Sequence, residues 1–142
     1  MDRSLLMPHD RAFIESFETC AIAAADWNHR CHIRMAWIYL RQMPLQEAME
    51  VVRANIQRFG RANNVPDLLD RGYHETMTVA WMRLVASAMA NYGACSDSDA
   101  FCEAMPHLLS RTLLRVFYSR DRIMTIDAKS GFVPPDLASL PG

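Results

Sequence analysis

Apolar residues recur at helical spacing along most of the chain, and no stretch alternates in the manner of a strand. Phe13, Ile14, Phe17 and Ala21 share one stripe, which predicts a helix from about Asp10 to Ala25. A second runs from about Trp27 to Gln42, with Asp26 as its expected N-cap and Pro44 just beyond its end. Leu45, Ala48, Met49, Val52, Ile56 and Phe59 mark a third helix, which stops near Gly60 and the Asn63–Asn64 pair. After a loop over 61–72, a fourth runs from about His74 to Tyr92, with Gly93 as its stop. A short helix over Ser98–Met105 follows, and Pro106 opens another that carries Leu109, Leu113, Val116 and Phe117. The proline-rich end predicts an extended surface tail over 128–142. The pattern predicts an all-α fold: one domain over 1–142, built as a four-helix bundle with an extra C-terminal helix and that tail.

Two of these stripes begin with histidine. The inward face of the second helix reads His29, His32, Ile33, Ala36, Leu40, Met43, and that of the fourth reads His74, Met77, Thr78, Trp81, Leu84, Val85. His29 and His32 stand at i, i+3, which puts both rings on one face about 5–6 Å apart at Cβ. Two imidazoles at that spacing suit one divalent ion, and a third from another helix would leave an open coordination position for chemistry. His29, His32 and His74 are therefore the candidate metal ligands. Glu75 is the candidate catalytic carboxylate, as fourth ligand, as base beside a metal-bound water, or as a group orienting a histidine. Glu18, one step off the first stripe, is a weaker carboxylate candidate. Three histidines with or without a carboxylate suit zinc or iron first, then nickel or copper. Arg34, Trp37, Tyr73, Thr78 and Trp81 are the candidate substrate-binding residues: an arginine to clamp an anion, aromatic walls, and a hydroxyl one turn beyond His74. The plainer readings are a solvated arginine, core aromatics, and imidazoles satisfied in a buried hydrogen-bond network.

Composition narrows the picture. The chain has 142 residues, 51% apolar and 22% charged, as in an ordinary globular domain. A net charge of -1 argues against a cationic nucleic-acid or membrane-binding platform, and no apolar run reaches the roughly 18 residues of a membrane span. The start of the chain, MDRSLLMPHDR, lacks the apolar stretch of an export signal. The four cysteines form no CxxC pair, so reduced thiols in a cytosol are expected.

Three segments carry a resemblance: WNHRCHIRMAWIYL at 27–40, GYHETMTVAW at 72–81, and YSRDRI with the later VPPDLASLP at 118–141. Together they resemble a group of small bacterial proteins that pairs HxxHxRxAWxYL with YHETxTxAW and closes on a PDL tail. The resemblance supplies no activity; it implies that His29, His32, His74 and Glu75 belong to a shared pattern. A looser likeness links His32 and His74–Glu75 to HD-domain phosphohydrolases. Here Glu stands where that family has Asp, and its final metal-binding Asp has no clear match. The chain is also similar to DinB-like bundles in architecture and three-histidine ligand type.

The expected function is a cytosolic metal-binding helical bundle, a metal-dependent hydrolase or oxidoreductase acting on a small molecule, with room for a homodimer face. The alternative is a non-catalytic helical module that binds a partner or a small apolar ligand, its histidines structural.

Overall fold

The computed structural model describes residues 2–142. It is all-helical. Among the described residues there is no β-strand, only an isolated antiparallel bridge between Leu68 and Arg71.

Four long helices come first: α1 (Pro8–Glu18), α2 (His29–Gln42), α3 (Leu45–Ala62) and α4 (Glu75–Tyr92). Then follow α5 (Ser98–Ala104), 3₁₀ segments at Pro106–Leu109 and Arg111–Val116, and two short helices, α6 (Arg120–Ile123) and α7 (Ile126–Ser130). α2 lies centrally and packs on α1, α3, α4 and α5. Ile33, Ala36, Trp37, Ile38 and Tyr39 are all buried along it. Each large side chain so removed from water contributes roughly 1.5–3 kcal/mol, and this packing, more than helix propensity, holds α2 in place.

Several boundaries differ from those expected. α1 ends at Glu18, because Cys20 takes a left-handed conformation (φ 60°) that stops the helix. Trp27 lies outside α2, and Asn28 rather than Asp26 caps it, accepting from the Cys31 amide. His74 is itself the cap of α4, its Nδ1 accepting from the Met77 amide. The segment opened by Pro106 is 3₁₀ rather than α.

The tail over 128–142 is only partly as expected. Residues to Ser130 complete α7, and the remainder is extended but anchored. Leu140 is buried, the Leu137 amide donates to Phe117 O, and Arg83 donates to the carbonyls of Pro141 and Gly142. Leu140 supplies the apolar contact and Arg83 the donors that hold the end of this proline-containing segment. All four cysteines are free. Among the described residues, no helix is long and apolar enough to cross a membrane.

Candidate functional site

A cavity of about 1030 Å³ opens between α2, α3, the first half of α4 and the segment 111–124. His29, His32, Tyr73, His74, Thr78 and Trp81 all line it. Helical periodicity explains the convergence. Seven residues of α2 nearly complete two turns, so His29, His32 and Ala36 share the inward face, as do His74, Met77, Thr78 and Trp81 across the start of α4.

The rings meet at one cavity, but they do not form the expected ligand set. Among the described residues, no group of three or more His, Cys, Asp or Glu side chains is placed to hold an ion. Protein atoms take the nitrogens. His74 spends both: Nδ1 caps α4, and Nε2 donates to Ile123 O at 3.0 Å. His32 Nε2 accepts from the Trp27 indole N–H at 2.9 Å. His29 Nε2 donates to Leu108 O at 2.8 Å, while its ring stands edge-on to Trp81, centroids 4.5 Å apart. Only the Nδ1 atoms of His29 and His32 lack a protein partner among the described residues. Burial lowers the pKa of all three imidazoles. His32 falls furthest, to about 4, through burial and then the nearby His29 and Arg111. All three are neutral at pH 7.

Glu75, expected as base or ligand, turns to α3. One residue is 100° of helix, which carries its carboxylate away from the histidine face. Arg53 grips both of its oxygens, at 2.8 and 2.6 Å, and the Tyr73 hydroxyl donates to one of them. The Arg53 bond, with Tyr73, holds the carboxyl below its usual range against the opposing pull of burial, which makes it a weak base.

Arg34 does not reach the cavity either. It lies five residues, some 140° of helix, from His29. Its guanidinium packs over Phe13 and donates to Ser98 Oγ, beside the buried Asp10. Trp37 is 3% exposed and packs on Phe101 in the core. Glu18 accepts from Arg3 and from the Tyr39 hydroxyl, away from the cavity.

The sequence reading missed a group of arginines. Arg71, Arg111, Arg115 and Arg120 line the same cavity, and all four are exposed. The available signal was the acid-free run RTLLRVFYSR at 111–120, which sets three arginines among its apolar residues.

No family model, curated protein or solved structure matches this chain. The segments behind the resemblance nevertheless have a visible structural use: they are joints. Asn28 caps α2, and His74 caps α4. Thr76 donates to Gly131 O and accepts from the Val133 amide, and Tyr118 donates to Val133 O. Asp136 accepts from the Ser119 amide and hydroxyl. The motif residues thus tie the start of α4 and the segment after residue 117 to the tail, and so build one wall of the cavity.

Proposed function

We propose that this chain binds a small organic molecule in the cavity between α2, α3, α4 and residues 111–124, with its histidines as neutral polar wall groups. The observation that carries this reading is a cavity of about 1030 Å³ whose imidazoles are already bonded to protein atoms, leaving apolar and aromatic surface to receive a ligand. Met35, Ala36, Val52 and Met82 form a buried apolar floor, and Trp27 and Trp81 stand in the wall. The reading takes α1–α4 as a four-helix bundle that carries the cavity at one end, as the sequence leads one to expect. Fluorescence titration with N-phenyl-1-naphthylamine, a neutral apolar probe, tests it. Saturable binding is expected, and Thr78→Trp, which fills the cavity from α4, should weaken it at least about tenfold. A signal unchanged by Thr78→Trp would place the probe elsewhere and remove the reading.

The metal-dependent enzyme remains the competing reading. Its support is that His29, His32 and His74 all line one cavity. The two readings separate on stability. If His74 is a cap, His74→Ala should cost about 2 kcal/mol by urea unfolding, from the lost cap and the unpaired Ile123 carbonyl. That cost should be the same with and without EDTA, and EDTA should not shift the wild-type Tm. A Tm lowered by EDTA, together with stoichiometric metal in the purified protein, would restore the metal site.

A further inference from the structure

The arginines of this protein are unevenly employed. Of its fourteen, nine donate to a carboxylate, a hydroxyl or a backbone carbonyl: Arg3, Arg30, Arg34 and Arg53 bond to side chains, and Arg11, Arg41, Arg58, Arg83 and Arg122 to carbonyls. The guanidiniums of the other five make no hydrogen bond or ion pair among the described residues, and four of those five, Arg71, Arg111, Arg115 and Arg120, line the cavity described above. The fifth, Arg61, is exposed near the end of α3 and does not line it. Against four guanidiniums, Asp70 is the only acid among the lining residues. Composition does not explain this, because the chain as a whole carries a net charge of -1.

Four arginines lining one cavity with a single acid, Asp70, leave an excess of positive charge, and a cleft so charged draws an anion from outside. Guanidinium is the group best matched to carboxylate and phosphate, through paired N–H donors. The arginines are exposed, whereas Met35, Ala36, Val52 and Met82 of the same lining are buried and mostly apolar. We infer that the cavity takes an amphipathic oxyanion: a small molecule whose carboxylate or phosphate group is held at the arginine rim and whose apolar body lodges against Met35, Ile56 and Trp81. The inference rests on the small-molecule reading above and names the chemical class of its ligand. His32, whose Nε2 accepts from Trp27, carries its ring proton on Nδ1 and has that donor left for the anionic group.

Displacement of N-phenyl-1-naphthylamine by ligands sharing one ten-carbon chain tests it. Decanoate, decyl phosphate and the neutral decanol are titrated against the probe-loaded protein. At least one anion should displace the probe at a concentration about tenfold below that of decanol, and which anion does so distinguishes a carboxylate ligand from a phosphate one. The Arg111→Gln/Arg115→Gln double variant should erase that preference, the anions then competing no better than decanol, without lowering the melting temperature. Both side chains are exposed and make no hydrogen bond or ion pair among the described residues, so the substitutions break none. Arg61→Gln should change nothing. If decanol competes as well as both anions, or the double variant keeps the preference, the inference fails and the small-molecule reading stands. If the neutral probe does not bind at all, both fail.

Discussion

Asp10→Ala should destabilise the protein by about 3–5 kcal/mol, the largest single-residue effect expected here. Asp10 is 0% exposed and acts as a buried hub. One carboxylate oxygen accepts from the Ser98 amide at 2.8 Å; the other accepts from the Ser98 hydroxyl and faces Arg34. These bonds tie α1 to the start of α5 and, through Arg34, to α2. Truncation leaves the buried Ser98 N–H and hydroxyl and the arginine without their acceptor, and a stranded buried donor or charge costs more than the bond itself contributed. Asp10→Asn keeps the shape but turns an amide towards these donors, so it should cost roughly half as much. Urea unfolding of the two variants measures the difference. A loss under about 1 kcal/mol for Asp10→Ala would mean that α1 is not fastened through this residue.

The second large effect is a loss of stability in mild acid. In the unfolded chain His32 titrates near its ordinary value of 6.5, and in the folded protein near 4. Between those limits the unfolded chain binds more protons than the folded one, so stability falls as pH falls. The contribution is intact above about pH 6.5 and declines below it. It is down by about 2 kcal/mol at pH 5 and by about 3 near pH 4. Protonation would also put a second hydrogen opposite the Trp27 indole N–H, which His32 Nε2 now accepts. Burial shifts His29 and His74 in the same direction and adds to the slope. The carboxyls of Glu18 and Glu75 are held low and act later. Arg3 and Tyr39 hold Glu18 there against burial, and Arg53 and Tyr73 hold Glu75; their stabilisation is lost only below about pH 4.5. Unfolding free energies at pH 7.5 and 5 should therefore differ by about 2 kcal/mol. His32→Gln, which keeps an acceptor for Trp27 but does not titrate, should flatten most of that difference. An equally steep fall in the variant would assign the effect to other groups.

Both predictions concern polar groups, and polar groups mark the limit of what the sequence discloses. A local periodic rule suffices for the apolar stripe of α2 or for the histidines at i, i+3, because a helix fixes which side chains share a face. That rule brought His29, His32, His74, Thr78 and Trp81 to one cavity, while Tyr73 reaches it from the loop before α4. It does not say which partner a nitrogen or an oxygen will find. The partner of His29 lies 79 residues away, that of His74 49 away, and that of Asp10 88 away. Arg34 has the residue type of an anion clamp, and within α2 nothing distinguishes a clamp on a ligand from a clamp on Asp10. Glu75 stands next to His74 in the chain, yet the helix turns it to Arg53. Arg111, Arg115 and Arg120 have no helical stripe to betray them, since their segment is mostly 3₁₀ and irregular.

What the sequence settled by itself is the helical class and the inward stripe of α3, because both follow from hydrophobic spacing over a few turns; α2 and α4 are buried on more than the one face their stripes predicted, with Trp37 and Tyr39 on α2 and Thr76, Val79 and Ala80 on α4 packed inside as well. The tertiary structure decided how each imidazole is used, which carboxylates are already neutralised, and where unmatched positive charge collects. Hydrogen bonds and ion pairs join atoms distant in the chain, and only the packed molecule brings those atoms within reach.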